Sequence, residues 1–365
     1  MEEGSFDHWQ CEQLVLCHDD ALGLRAVIAI DDTTLGPALG GVRCLGYPSD
    51  IAAITEAQRL AAAMTLKNAF AGLPFGGGKS VILAPARELN RRALMQRFGE
   101  FVIRTGGAYL PGVDMGTSVA DLQAMADIGA DVSCNDEDPS PWTALGVAAS
   151  IRAVIAHVDR REDIAGARVM IQGAWHVGAA LARDLAADGA TVIVADIDGQ
   201  RAAAVAAEVG ATTVAAEAVL ETECDVFAPC SVAKVITPET IAGLRCRMIS
   251  GAANDTLNDD RCAELLAQRD ITYVPDFISN AGGVIHIHSL RVHLGEERLR
   301  SDVLRIGART REVLETAAGT GETPLRVATA RARRILADAR AAADGARSSG
   351  AARRDGAHER TLLHA

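Results

Sequence analysis

The stretch ARVMIQGAWHVGAALARDLAADGATVIVADID, residues 167–198, constrains the fold more than any other part of the chain. An apolar run of strand length leads into a glycine turn. Apolar residues at helical spacing follow, then a second apolar run that ends in Asp196. Strand, turn, helix and strand within about thirty residues make one βαβ unit, whose two strands are parallel because the helix carries the chain back across the sheet. The later apolar runs CDVFAPC, RMISGAA and ITYVPDF alternate with helix-like segments, which extends the unit into a doubly wound parallel sheet.

The turn reads Gly173, Ala174, Trp175, His176, Val177, Gly178. A Rossmann dinucleotide turn places glycines at three positions of G-x-G-x-x-G: for the tight turn, for close approach of a pyrophosphate, and for helix packing. Here the middle position is Trp175. Asp196, at the end of the second strand, stands where an acid binds a ribose 2′-hydroxyl and favours NAD over NADP. Three arrangements are open at this stage. The turn binds NAD with a changed geometry, or the indole fills the pyrophosphate space and leaves a scaffold, or Trp175 rotates into solvent and affinity is lowered but kept.

Lysine is rare in this chain: Lys67, Lys79 and Lys234 are the only three among 36 Lys plus Arg. Arginine serves surface charge as well as lysine but does not deprotonate at working pH, so a retained lysine points to proton chemistry. Lys67 and Lys79 flank GLPFGGG, the first near the end of a long helix (50–72) that Ser49 or Asp50 caps and Gly72 ends, the second opening a strand. The expectation is a turn folding both ammonium groups to one place, with Gly76, Gly77 and Gly78 leaving no side chain between backbone and ligand.

At 365 residues the chain exceeds one usual core and implies two domains. The division falls at 1–145 for the first domain and 146–325 for the dinucleotide-binding sheet. A helix over 326–344 packs back, and the tail 345–365, low in apolar content, is expected to be disordered. In the first domain EQLVLCHD, LRAVIAID and KSVILAP read as strands. The net charge of −12 argues against a nucleic-acid surface. The acidic start and the lack of an apolar run of spanning length predict a cytoplasmic protein with no membrane contact. Eight cysteines without a C-x-x-C pair fit reduced thiols and no structural metal, and Cys230 reads as a buried small hydrophobe, not a nucleophile.

The segments EQLVLCHDDALGLRAVIAIDDTTLGPALGGVR, MTLKNAFAGLPFGGGKSVI, VDMGTSVADL, TALGV and FISNAGGVI resemble, in order, those of the leucine, valine and phenylalanine dehydrogenases, over roughly residues 8 to 340. The resemblance implies an α/β chain of two domains, a substrate and oligomerisation domain and a Rossmann-like domain, with the site in the cleft between them. It implies that Lys67 holds a substrate carboxylate, that Lys79 is the general base activating water, and that Asp114 relays protons to and from the substrate amine. Gly40 and Gly41 match backbone lining the substrate site, and Thr143, Asn254 and Asn280 match polar residues around substrate and nicotinamide. Leu39, Gly112, Val284 and Ile287 match the side-chain pocket, and Gly112 enlarges it. Two stretches at the cofactor site depart from the family: the turn, where the relatives resemble G-x-G-N-V-G, and Ser231-Val232-Ala233-Lys234, where they resemble A-L-G-G.

The leading expectation is NAD-dependent oxidative deamination of an apolar L-amino acid to the 2-oxo acid, or the reverse, by a homo-oligomer. A second is imine or carbonyl chemistry of an amino-acid-like substrate in the Lys67, Lys79 and Asp114 pocket without redox. A third is a non-catalytic partner of a true dehydrogenase. Lys234 either reaches the cofactor cleft or is a solvated loop residue.

Overall fold

The computed structural model describes residues 11–84, 90–133, 137–231 and 233–362, with side chains described as far as residue 345; Cys134 and Val232 lie outside them. The first domain begins with β1 (Gln13–Asp19), β2 (Leu24–Asp32) and β3 (Ala38–Leu45), followed by the long helix α1 (Asp50–Ala71). Of the two candidate caps it is Ser49 that accepts from the Ala52 N–H, at 3.2 Å, while Asp50 takes the first turn and pairs with Arg25. Gly72, at φ 69°, ends the helix in the left-handed conformation. The chain then forms β4 (Gly76–Leu83), α2 (Arg91–Arg104), β5 (Tyr109–Val113) and α3 (Val119–Ala126). The sheet has the order β1-β2-β4-β3-β5, with β1, β2 and β4 antiparallel in sequence and β4, β3 and β5 parallel.

Gly76, Gly77 and Gly78 do not form a turn, as the sequence led us to expect; they are the first half of β4. A Cβ on Gly77 would lie 2.2 Å from the Thr65 backbone nitrogen in α1, and one on Gly76 would lie 1.7 Å from the Asp32 carbonyl oxygen. A Cβ on Gly78 would press on the Tyr109 ring at 2.8 Å. The missing side chains therefore make room for protein, not ligand: they let α1 settle directly onto the sheet, which brings Lys67 of α1 toward Lys79 of β4. The reversal itself is made by residues 72–75.

The connection into the second domain is α4 (Ser140–Asp159). Among the described residues it alone is long and apolar enough to span a membrane, contrary to the sequence reading, and more than half of its apolar stretch is buried inside the protein. It is apolar on several faces because neighbours pack on several faces. After it come β6 (Arg168–Gln172), α5 (His176–Ala187), β7 (Thr191–Ala195), α6 (Gly199–Val209), β8 (Thr212–Thr213), a 3-10 turn (Ala216–Glu221), β9 (Val226–Pro229), α7 (Pro238–Ile241), β10 (Met248–Ile249), α8 (Arg261–Ala267) and β11 (Thr272–Tyr273). This sheet is parallel throughout in the order β11-β10-β9-β6-β7-β8. Strand order reverses between β6 and β9, and the Gly173 turn and Cys230 follow the carboxyl ends of those two strands, the place where such sheets bind ligands.

The chain closes with α9 (Asp276–Ser279), α10 (Gly282–Arg291), α11 (Glu296–Thr320) and α12 (Pro324–Leu362). Val327, Ala328, Ala332 and Leu336 of α12 join Val303 and Ile306 of α11, Phe70 of α1 and Leu110 of β5 in one core cluster, so both last helices pack back on the first domain. The backbone of α12 is helical to Leu362, through the segment expected to be disordered; its Ala and Arg content favours helix even where no apolar stripe is present.

Gly77→Ala tests the close approach of α1 to β4. Its Cβ meets backbone that cannot swing aside, so the substitution should cost about 3 kcal/mol, measured by urea denaturation, whereas Gly46→Ala, with nothing within 4 Å of the added carbon, should cost less than about 1 kcal/mol.

Candidate active site

Lys79 points from β4 to Asp114, which directly follows β5, and its ammonium forms an ion pair with Asp114 Oδ2. Asp114 is not a helix cap: Ser118 and Asp121 make the capping box of α3. Instead the Asp114 N–H donates to Thr117 Oγ1 at 3.0 Å, and the Thr117 hydroxyl lies 2.8 Å from the Val42 carbonyl, which pins the turn to β3. Arg43 Nε donates to the same Asp114 oxygen at 3.2 Å, and Arg43 Nη1 donates to Glu56 Oε1 of α1 at 2.7 Å. Gly41 keeps this space open, since a Cβ there would lie 2.7 Å from the Asp114 Cβ and 3.2 Å from Lys79 Nζ. Burial lowers the Lys79 pKa from its ordinary value, against the opposing pull of Asp114. Burial alone would raise the Asp114 carboxyl, but Lys79 and Arg43 outweigh it and hold it low.

Lys67 is buried on α1 and its Nζ donates to Asn254 Oδ1, across the cleft, at 2.7 Å. Asn254 Oδ1 also accepts from Asn280 Nδ2 at 2.9 Å, and Asn280 Nδ2 reaches the Ala252 carbonyl at 3.1 Å. One turn earlier on the same stretch, Asp276 Oδ2 accepts the Thr256 N–H at 2.9 Å. Asp276 and Asn280 thus grip the 252–256 turn from two sides. Burial pushes the Lys67 pKa down to about 8, with Asp276 pulling the other way and Lys79 adding to the drop. Asn280 Oδ1 is buried without a hydrogen-bond partner.

Leu39, buried in β3, shares an apolar cluster with Phe277 and Ile285, and Val284 and Ile287 of α10 pack against it. Three of the four expected pocket residues are therefore brought together by the first domain and α10. The fourth, Gly112, pairs in register with Gly41 on the neighbouring strand. Its open side is bordered by Ser133, whose Oγ would be 2.9 Å from an added Cβ, so Ser133 trims the room that Gly112 leaves. Gly40 allows strand contact more than ligand contact, because a Cβ there would meet the Gly78 carbonyl oxygen at 1.6 Å. Thr143 donates to the Pro139 carbonyl at 3.2 Å and lies against Gly283 at the start of α10.

At the dinucleotide turn, the first and third glycines do what the fingerprint asks. Gly173 has φ 102°, and a Cβ on Gly178 would fall 1.8 Å from the Gly173 carbonyl oxygen, so only glycine lets α5 pack this close to β6. Trp175 is 58% exposed, with Arg201 stacked on its ring at 4.3 Å and His176 edge-on at 4.9 Å. The indole lies outward, as in the third arrangement considered from the sequence. Asp196 Oδ2 accepts the Ala174 N–H at 2.7 Å, and its Oδ1 accepts from Asp198 and Arg201, which fixes the carboxylate beside the turn and lowers its pKa against the effect of burial. Ser231 lies over Gly173, at 2.7 Å from a Cβ built there. Burial raises the neighbouring Cys230 thiol to about 12, which removes it as a nucleophile.

Two family models match this chain: residues 12–129 as Glu/Leu/Phe/Val dehydrogenase, dimerisation domain, and residues 195–290 as Glutamate/Leucine/Phenylalanine/Valine dehydrogenase. The leucine dehydrogenase of Thermoactinomyces intermedius is 37% identical over 86% of this chain and 88% of its own length. The chain belongs to the Glu/Leu/Phe/Val dehydrogenase family. The phenylalanine dehydrogenase of Bacillus thermotolerans is 38% identical over 81% of this chain and 80% of its own. The crystal structure of the L-tryptophan dehydrogenase of Nostoc punctiforme superposes with a TM-score of 0.79 at 32% identity, covering 91% of this chain and 97% of that one. The protein is accordingly an enzyme of the amino-acid dehydrogenase kind.

The site of this family member includes residues that the sequence reading passed over: Arg43, Glu56, Thr117 and Asp276. Arg43 had a signal, since it lies two residues after Gly41 and so on the same face of the strand. Glu56 had none, because only the docking of α1 brings it to Arg43. Lys234 is exposed, at φ 56°, where the family resemblance places a glycine, and its N–H donates to the Asp255 carbonyl at 2.6 Å. A left-handed conformation disfavours a residue with a Cβ, so Lys234→Gly should raise stability by about 1 kcal/mol, seen as a higher urea midpoint with an unchanged slope.

Proposed function

We propose that the protein catalyses NAD-dependent oxidative deamination of an apolar L-amino acid, with the reverse reductive amination on the same site. The observation that carries this reading is the pair of buried lysines, one in contact with Asp114 and the other with Asn254, in the cleft below the Gly173 turn. The backbone around Trp175 supports cofactor binding: its φ of −83° needs no glycine, and the indole is turned outward. The N-terminal turn of α5 with Gly173, His176, Val177 and Gly178 would hold the pyrophosphate. Asp196 would hold the adenine ribose, and Ser231 and Asn254 line the way to the nicotinamide. When bound, the cofactor would supply the acceptor for the hydride that leaves the substrate Cα.

The protein's own groups supply the rest. The Lys67 ammonium binds the substrate carboxylate, leaving Asn254 to be shared between substrate and cofactor. Leu39, Val284 and Ile287 receive the side chain; a charged one would find no partner among them. Hydride loss leaves an iminium at Cα, and water adds to it as Lys79, in its neutral form, takes the proton. Lys79 hands that proton on through Asp114 to the amine nitrogen; as the C–N bond breaks, the hydroxyl on Cα gives its proton to the again neutral Lys79, and ammonia and the 2-oxo acid leave. Burying a lysine–aspartate pair contributes little to stability on balance, so the pair is better explained by this proton traffic. A homo-oligomer formed through the first domain is supported by the dimerisation description of the matching family model.

Lys79→Arg keeps the charge and cannot act as a base, so kcat should fall by about 10²–10⁴-fold, followed as NADH absorbance with leucine, valine, phenylalanine and tryptophan as substrates. Lys67→Arg should raise KM more than it lowers kcat. Because burial pushes the Lys67 pKa down to about 8, the amino-acid KM should rise above that pH. Turnover of the Lys79→Arg protein at the natural rate, with an intact circular dichroism spectrum, contradicts the base assignment.

Calorimetric titration separates the redox reading from the non-redox one. NADH should bind, and more tightly than NADPH because of Asp196. Trp175→Gly should tighten NADH by about threefold to tenfold, worth about 1 kcal/mol, since it removes a Cβ from the pyrophosphate approach. No heat with NADH, together with binding of a 2-oxo acid, would instead support imine or carbonyl chemistry without redox.

A further inference from the structure

Six charged side chains form an unbroken chain from the catalytic pair to the far side of the cleft. Lys79 pairs with Asp114, and Asp114 with Arg43 at 3.2 Å. Glu56 bridges two arginines, receiving Arg43 Nη1 on Oε1 and Arg59 Nη2 on Oε2, both at 2.7 Å. Arg59 Nη1 then crosses from α1 to Asp255 Oδ2 in the second domain. None of the six is more than about one-third exposed, Arg59 being the most open at 34%. Such a run differs from isolated surface pairs, whose contribution is small.

Asp255 is also tied down from its own side. It sits at φ 55°, and its carbonyl accepts the Lys234 N–H, while the Ile236 N–H donates to the Thr256 carbonyl at 3.1 Å. The turn that carries Asn254 therefore braces the loop after β9 that covers Gly173. One contact, Arg59 to Asp255, joins this brace to the ionic run that ends at Lys79.

We propose that Arg59 and Asp255 are positioning residues: their ion pair docks the Asn254 turn on α1 and, through Glu56 and Arg43, sets Asp114 against Lys79 when the cleft is closed. The inference rests on the dehydrogenase reading for its kinetic tests and is independent of it for one structural test. The charged groups that face Lys79 are Asp114, Arg43 and Glu56, with Lys67 nearby. Arg59→Gln removes a positive charge from the far end of this run and Asp255→Asn a negative one.

In the full-length protein each variant should lower kcat at least fivefold, and the double variant should be no worse than the worse single one, because both break the same contact. The acidic limb of the kcat profile, where rate rises as Lys79 loses its proton, should move to higher pH in Arg59→Gln and to lower pH in Asp255→Asn, by a few tenths of a unit. Arg59→Lys, which keeps the charge but lacks the fork that reaches two carboxylates, should fall between wild type and Arg59→Gln. Single effects below twofold, additive effects, or shifts of the same sign overturn the proposal. Amide hydrogen exchange at 234–236 and 252–258 should accelerate in Asp255→Asn, and unchanged exchange also overturns it. That measurement needs no turnover, so a wild-type protein that never reduces NAD would defeat the functional reading while leaving this one to be judged on exchange.

Discussion

Desolvation of two ammonium groups is the constraint around which the first domain is arranged. Lysines are rarely buried, and taking an ammonium out of water costs several kcal/mol after relaxation. The protein offsets that cost with one carboxylate for Lys79 and one amide oxygen for Lys67. Neither offset is complete, which is why burial wins and both lysines lie below their ordinary pKa. The incomplete compensation is the useful part: a fully paired lysine would hold its proton too firmly to exchange it.

That arrangement depends on glycine in an unusual way. Gly77 and Gly76 let α1 and β2 lie directly on the backbone of β4, and Gly41 clears the space over Asp114 and Lys79. Each is silent in a reading of chemistry, since it carries no functional group, yet each fixes a distance between groups that do. Thr117 acts similarly from outside the site, holding the Asp114 turn to β3 through a hydroxyl that touches no reacting atom.

The parallel sheet was legible because its signal is local: the apolar run, the turn at Gly173, the helix and Asp196 all lie within one short segment. β1 and β2 were legible for the same reason, their boundaries falling within a residue of the apolar runs. Gly76–Gly78 were misread as a turn because three glycines in a row mean flexibility in isolation, and only the neighbouring Thr65, Asp32 and Tyr109 turn them into strand. Lys67 and Lys79 were singled out by residue scarcity and resemblance together, Asp114 by resemblance alone, and the structure sets Asp114 against Lys79. Glu56, Arg59, Asp255 and Asp276 were not: Arg59 and Asp255 meet across 196 residues, Glu56 meets Arg43 only once α1 docks on the sheet, and Asp276 reaches the Thr256 backbone. The orientation of Trp175 was equally beyond the sequence, because it is decided by Arg201 stacking on the ring.

Scarcity of lysine has a practical side. Two of the three ε-amines are enclosed in the cleft, whereas Lys234 is exposed on the loop beside the dinucleotide turn. An acylating reagent or an aldehyde-coated support, which on most proteins would find amines on every face, meets on this one a single exposed side-chain amine, beside the α-amine of the chain. Covalent attachment through Lys234 would orient those molecules alike, with the Gly173 turn toward the surface to which they are fixed. On the proposed cofactor placement, an immobilised form would obstruct its own site, and a useful one would first need a lysine introduced on a distant helix such as α2.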